Sequence, residues 1–163
     1  MKALTLAILG CTLVGACEHF SQPPKEESPP MEPGKKLVML PAEVWKRENC
    51  DSRELPFLRL DNTEISPKTI VAGGSIHYRF SYTACVPAQP GYILGRFQTE
   101  IFFKGEKLST RYDDGYPVET GKLIVDTDIA VPRNADPGTY HLKAQLFVGS
   151  VTLQDSVSFN VSP

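Results

Sequence analysis

The chain has 163 residues, of which 41% are hydrophobic and 22% charged, and its 17 basic and 19 acidic side chains give a formal net charge of −2. This length suits one ordinary domain with additional segments. The charges are nearly balanced and contain no dense block of lysine and arginine, which argues against a nucleic-acid partner, because binding to phosphate backbones needs a concentrated positive field. No apolar run reaches the roughly 18 residues of a membrane-spanning helix.

The N-terminus has the features of a targeting segment. Lys2 precedes the apolar stretch 3–14, and two small residues follow it. The stretch Leu13-Val14-Gly15-Ala16-Cys17 resembles the lipobox of bacterial lipoproteins. The resemblance implies cleavage by signal peptidase II before Cys17, whose sulfur then carries a diacylglycerol. Two alternatives compete with this interpretation: a lipobox that ends at Cys11, and an ordinary secretory signal followed by a coincidental cysteine.

A proline-rich segment follows the candidate lipidation site. It cannot bury a core, because between Glu18 and Lys36 its only large apolar side chains are Phe20 and Met31. Extended polyproline II rises about 3.1 Å per residue, so the segment could hold a folded domain roughly 60 Å from a bilayer. We therefore predict a signal peptide at residues 1–16, a lipidated cysteine with a linker at 17–40, and a folded domain at 41–163. A peptide ligand for a proline-reading domain is the alternative interpretation of the linker.

The two remaining cysteines form an even pair. With Cys11 removed in the signal peptide and Cys17 lipidated, Cys50 and Cys85 are left in an exported and oxidising setting, and we predict a disulfide between them. Closing a loop of about 35 residues should stabilise the fold by about 3 to 4 kcal/mol. A redox or metal-binding role is the alternative, although neither cysteine lies in a CxxC pair or adjoins a histidine.

Apolar and polar residues alternate from Ser75 to the C-terminus, which is typical of half-buried β-strands. The predicted strands are residues 57–65, kinked near Asp61, and then 75–84, 96–104, 108–112, 122–131, 139–148 and 151–161. Seven short strands separated by turn signals predict an all-β, antiparallel sandwich. Residues 41–49, which include Trp45, favour one or two helical turns pinned against the sandwich by Cys50.

The segment at residues 131–140, which contains Pro137-Gly138-Thr139-Tyr140, is similar to the loop before the penultimate strand of many bacterial immunoglobulin-like domains. The resemblance implies an immunoglobulin-like order of the strands, with 75–84 second, 96–104 third and 122–131 fifth. In that order the disulfide joins the segment before the first strand to the end of the second.

No strong catalytic motif is present, so we predict a non-enzymatic protein with no cofactor and no metal. The most notable polar cluster is His77 with Asp126 and Asp128, which the assumed topology places on one outward face. These side chains could hold a metal ion, but a solvated face of titratable groups explains the same residues without any ligand, and we predict no metal there. The stretch Asp113-Asp114-Gly115 is interpreted as a turn rather than part of a calcium loop.

Two aromatic residues break the alternation. Phe102 and Phe147 have outward parity on the third and sixth strands, which are neighbours in the usual arrangement. Their face also carries Lys143 and Gln145, together with Gln98 and Glu100. An apolar spot in a polar frame suits protein recognition, so we predict a partner-binding patch of Phe102, Phe147, Lys143 and Gln145. The alternative is that Trp45 and residues 41–49 fold over this face and bury both rings.

These features favour a membrane-anchored lipoprotein of the cell envelope whose β-sandwich acts as a non-enzymatic binding or accessory subunit. Its expected partners are the membrane and another envelope protein or surface component. Glu18 follows the candidate lipidated cysteine, where the inner-membrane retention signal has Asp, and this favours the outer membrane.

A different class of function is a carrier of a small apolar ligand or lipid. The inward aromatics are loosely similar to those of ML-type lipid-binding domains: Tyr78, Phe80, Tyr82, Phe97 and Phe103.

Overall fold

The computed structural model describes residues 30–163, so the predicted signal peptide and lipidation site Cys17 lie outside the described residues. The described part contains nine strands, one α-helix and a short 3-10 turn at Cys50–Ser52. In chain order the elements are β1 (Gly34–Met39), α1 (Pro41–Arg47), β2 (Phe57–Ser66), β3 (Thr69–Val71), β4 (Ser75–Cys85), β5 (Tyr92–Phe103), β6 (Glu106–Glu119), β7 (Gly121–Ala130), β8 (Gly138–Val148) and β9 (Val151–Ser162).

The strands form two sheets that pack face to face. The first sheet has the order β1-β7-β4-β2, and the second has the order β3-β9-β8-β5-β6. All neighbouring strands are antiparallel except β3, which runs parallel to β9. The protein is therefore an all-β sandwich of the immunoglobulin-like class, as the alternating pattern predicts.

The core lies between the sheets and is rich in aromatic rings. Alternation along β4 sends Ile76, Tyr78, Phe80 and Tyr82 inward, and each of these side chains is at most 1% exposed. Three rings from the second sheet stack in a row: Phe103 and Tyr140 lie 4.5 Å apart, and Tyr140 and Phe159 lie 5.3 Å apart. The Tyr140 hydroxyl donates a hydrogen bond to the backbone oxygen of Asp136, at 2.9 Å. This contact fixes the turn before β8.

All seven predicted strands are present, and the expected kink near Asp61 is a shift of register between Leu60 and Asn62. Two strands were not predicted. The short β3 has only three residues, and β1 lies within the stretch 17–40 that the sequence assigns to the linker. The folded domain therefore begins before residue 41. The alternation of β1 is weak because it is an edge strand, which leaves Leu37 and Val38 on opposite faces and both more than 40% exposed.

The expected turn at Asp113-Asp114-Gly115 is wrong, because these residues continue β6, which runs from Glu106 to Glu119 rather than over 108–112. Gly95 pairs with Tyr116 and Arg96 pairs with Asp114, so Gly115 is the extra residue of a β-bulge. Its φ of 80° lies in the left-handed region that glycine adopts without strain. The Asp-Gly pair thus bends a strand that continues beyond it.

Helix α1 is held at one end of the sandwich. Pro41 occupies its first turn, where a missing N–H costs nothing, and the Glu43 carboxylate accepts a hydrogen bond from the Leu40 backbone N–H at 3.2 Å. Val44 is buried against the disulfide between Cys50 and Cys85, whose Cα atoms lie 5.8 Å apart. The predicted pairing of these cysteines is confirmed, and it ties the segment before β2 to the end of β4.

Candidate functional site

Phe102 and Phe147 do not form one patch. Both lie on the outer face of the second sheet, as parity predicts, but Phe102 is paired with His141 and Phe147 with Arg96. Phe147 lies six positions after His141 on β8, which is about 20 Å along a strand. Both rings are half-buried. The register therefore places the two aromatics at opposite ends of the face.

The polar residues of the predicted patch occupy the middle of that face. Lys143 lies opposite Glu100, whose carboxylate accepts a hydrogen bond from Lys107 at 3.1 Å. Gln145 is only 8% exposed and donates a hydrogen bond to Gln154 at 3.3 Å. This face is therefore a polar surface whose side chains are hydrogen-bonded to one another, with an aromatic ring at each end. It offers no single apolar anchor point for a partner.

Trp45 and residues 41–49 do not cover Phe102 and Phe147, which was the alternative expectation. Trp45 packs with the cluster of Val44, Cys50 and Cys85, and α1 lies against β7 and β4 of the first sheet. The disulfide decides this placement, because it joins the chain just after α1 to the end of β4.

The cluster of His77, Asp126 and Asp128 separates into two pairs. His77 Nδ1 contacts Asp128 Oδ1 on the neighbouring strand, and Asp126 is engaged by Arg79. Among residues 30–163, no group of three or more His, Cys, Asp or Glu side chains lies close enough together to hold a metal ion.

Arg79 and Asp126 form a buried ion pair on the outer face of the first sheet. Arg79 Nε and Nη2 donate to the two carboxylate oxygens at 2.7 and 2.8 Å, and the side chains are 2% and 3% exposed. These hydrogen bonds raise the pKa of Arg79 above its ordinary value, so it stays charged.

Residues 30–33, which fall within the predicted linker and directly precede β1, lie across the pair. Arg79 Nη2 also donates to the backbone oxygen of Pro30 at 3.0 Å, and the Glu32 backbone N–H donates to Asp126 at 3.3 Å. The residues just before β1 are thus in direct contact with the first sheet.

An apolar cleft opens along the side of the sandwich between β7 of the first sheet and β5 and β6 of the second. It has a volume of about 450 Å³. We call it the side cleft, and its apolar walls are formed by Ile101, Phe103, Leu108, Ile129, Val131 and Tyr140. Leu108 is 52% exposed at the mouth, while the other walls belong to the core or its margin. Clefts of this size and lining are the usual sites for apolar groups of a ligand.

One strand edge beside the side cleft is open. β1 pairs with β7 only from Lys122 to Asp126, although β7 continues to Ala130. Within the described part of the chain, residues 127–130 have no strand neighbour on that side. We call these residues the open edge. Parity identifies the inward residues of β5 and β7, but no pattern in the sequence showed where β1 stops. The turn-forming pair Pro33-Gly34 is the sequence feature that could have marked this end of β1.

None of the helices in residues 30–163 is long and apolar enough to cross a membrane.

Comparison with known proteins gives no family and no function. No family model matches the chain, and no curated protein matches it. Among solved structures, it is similar to the alkylpurine DNA glycosylase AlkC of Pseudomonas fluorescens, with 13% identity and a TM-score of 0.48 over 65% of this chain and 30% of that chain. A β-glucosidase of Listeria innocua has 11% identity and a TM-score of 0.47 over 68% of this chain and 17% of that chain.

A smaller protein in the same set is the CARDB domain of a Pyrococcus furiosus protein, solved with two metal ions. It has 14% identity and a TM-score of 0.40, over 67% of this chain and 89% of that domain. The chain spans less than a third of the glycosylase and of the glucosidase. At identities of 11% to 14% and TM-scores below 0.5, these likenesses carry no conclusion about the function of this chain.

Proposed function

We propose that this protein is a lipid-anchored component of the bacterial cell envelope whose β-sandwich acts as a non-enzymatic binding or accessory subunit. The observation that carries the binding role is the side cleft, an apolar recess with the exposed Leu108 at its mouth, next to an open strand edge. The lipobox-like stretch that ends at Cys17 supports the anchor. Two acyl chains on one cysteine hold a protein stably at a membrane.

Metabolic labelling with palmitate tests the anchor. Wild type and Cys11→Ala should both incorporate the label, whereas Cys17→Ala should not. Label that persists in Cys17→Ala, or its absence from wild type, would contradict lipidation. Separation of membranes on a sucrose gradient then tests the outer-membrane location that Glu18 favours.

Chemical cross-linking in intact cells tests the binding role. The lipidated chain should recover a specific envelope protein, and Cys17→Ala should recover less of it, because the anchor raises the local concentration of the domain near its partner. Failure of wild type to recover any specific protein would argue against a binding or accessory subunit.

A carrier of a small apolar ligand is the second candidate, and the volume and aromatic wall of the side cleft favour it. Native mass spectrometry of the purified protein should then show a bound apolar molecule. Leu108→Lys should remove that molecule, because a charge at the mouth disfavours an apolar ligand. Leu94→Lys is the matched control: Leu94 is 60% exposed and does not line the cleft.

A further inference from the structure

We propose that an extended peptide segment of the partner binds as an additional strand on the open edge of β7 and places an apolar side chain in the side cleft. This inference rests on the proposed binding role and names the kind of partner. It requires a free edge, a reason why the chain does not cover that edge itself, and a recess for the incoming side chain.

The position for a strand already exists. β1 occupies it along the first half of β7, antiparallel, from Met39 opposite Lys122 to Gly34 opposite Asp126. Residues 127–130 continue the same edge, and their outward-facing N–H and C=O groups can pair with a further strand. A peptide there would extend the line of β1, as in other complexes formed by strand addition.

Residues 30–33 do not extend β1 along this edge. Continuing the register of β1 would set Pro30 opposite Ala130, where the N–H of an added strand points towards β7, and proline has no N–H to donate there. The same register would set Glu32 opposite Asp128, and like charges directly opposite one another are unfavourable.

Gly34, with a φ of 130°, instead turns the chain away from the edge. The preceding residues then cross the Arg79–Asp126 pair on the outer face of the first sheet.

The side cleft determines which residue types the incoming strand should carry at each position. Ile129 faces the side cleft, and directly opposed residues of an antiparallel pair share a face. The peptide residue opposite Ile129 would therefore enter the cleft and should be apolar. Asp128 faces outward with its side chain 45% exposed, so a basic residue opposite it is favoured. In the antiparallel direction the peptide carries an apolar residue followed at once by lysine or arginine.

A phage-displayed library of random dodecapeptides, panned on the purified full chain, tests this pattern. The enriched peptides should contain an apolar residue followed by a basic one. A synthetic consensus peptide should slow hydrogen exchange at the amides of Asp128 and Ala130, whose N–H groups face the open edge. Leu108→Lys should weaken its binding roughly thirtyfold, because a charge at the mouth of the side cleft opposes entry of the apolar side chain that anchors the peptide. The matched variant Leu94→Lys should change it less than twofold, because surface contacts outside an interface contribute little.

A charge reversal tests the register. In Asp128→Lys, the enriched peptides should carry aspartate or glutamate after the apolar residue, and the original consensus peptide should bind more weakly. Leu108→Lys and Asp128→Lys each replace an exposed side chain. Circular dichroism and the melting temperature report whether each variant keeps its fold.

Strand addition is overturned if the library yields no enriched peptide, if protection falls outside residues 127–130, or if Leu108→Lys binds the consensus as well as wild type does. It is also overturned if Leu108→Lys recovers the cross-linked envelope protein unchanged, and in that case the proposed binding role stands on another surface. Peptide binding at the edge without any cross-linked partner in cells would refute the proposed role and leave the strand pairing intact.

Discussion

The ion pair between Arg79 and Asp126 is buried, although it lies on the outer face of the first sheet. Removing two charges from water is costly, and the pair offsets this through two well-aligned hydrogen bonds. It also makes one hydrogen bond to the backbone of Pro30 and one to the backbone of Glu32, just before β1. One buried pair therefore contributes to the stability of the sheet and holds the residues that precede β1.

We expect Asp126→Ala to lower the free energy of unfolding by about 3 to 5 kcal/mol, because it leaves a buried guanidinium without its main counter-charge. The matched control is Asp114→Ala, which breaks an ion pair with Arg96 in which both side chains are 54% exposed. Exposed pairs contribute less than about 1 kcal/mol. Urea denaturation of both variants gives the comparison, and equal losses would contradict the structural importance of the buried pair.

At the scale of elements, α1 depends on the disulfide more than on its own sequence. A helix of seven residues is too short to be stable in isolation, and it is held by Val44, Trp45 and the bridge beneath them. The disulfide also closes a loop that spans a sequence separation of 35 residues.

Replacing both Cys50 and Cys85 with alanine should cost about 3 to 4 kcal/mol of stability. It should also loosen α1 in the folded state. Trp45 is the only tryptophan, so the shift of its fluorescence towards longer wavelength reports this release. Asp126→Ala serves as a control that destabilises the domain elsewhere and should leave the emission of the native state unchanged. An unshifted spectrum in the double alanine variant would show that α1 holds its position without the bridge.

From the register of β5 and β8 we predict that Phe102 and Phe147 contribute independently to stability. Because about 20 Å separates their positions along the sheet, the two rings should contribute independently. The losses of stability in Phe102→Ser and Phe147→Ser should add in the double variant to within about 0.5 kcal/mol. Thermal or urea denaturation measures the sum. Coupling well beyond that range would mean that the rings act as one cluster.

For the molecule as a whole, three tyrosines embedded between the sheets determine its response to alkali. Burial raises the pKa of Tyr78 and Tyr82 well above the ordinary value, and it raises the pKa of Tyr116 to about 12. In the unfolded chain these phenols ionise near their ordinary pKa of 10.0. The unfolded state therefore loses protons first, and the stability that is present below pH 10 falls as the pH rises above it.

Tyr116→Phe should make this fall less steep. Between pH 10 and 12 the free energy of unfolding should decrease by about 2 to 3 kcal/mol less than in wild type, since one such proton is no longer lost on unfolding. Tyr112→Phe is the matched control, because Tyr112 is on the same strand and 62% exposed. Urea denaturation across this pH range gives the slopes, and identical slopes for the two variants would contradict the effect of burial.

The sequence predicted the fold well wherever a strand has one buried face. Inward residues such as Phe80 and Leu142 mark β4 and β8 because alternation reflects burial directly. The same reasoning missed β1 and most of β6, since both are edge strands that expose most of their side chains. The candidate site fell at these edges, where hydrophobic patterning carries the least information.

Some properties of this protein follow from the chain alone. The alternation determines the sandwich, and the even cysteine pair gives the disulfide. Other properties depend on the packing of distant strands. The sequence places Phe102 and Phe147 on one face, but only the register between β5 and β8 separates them. Only the length of β1 relative to β7 leaves an edge open beside the side cleft. Pro30 and Glu32 disfavour a longer β1, but which residues of β7 stay unpaired depends on a register between residues about 90 positions apart, and the whole sandwich decides that register.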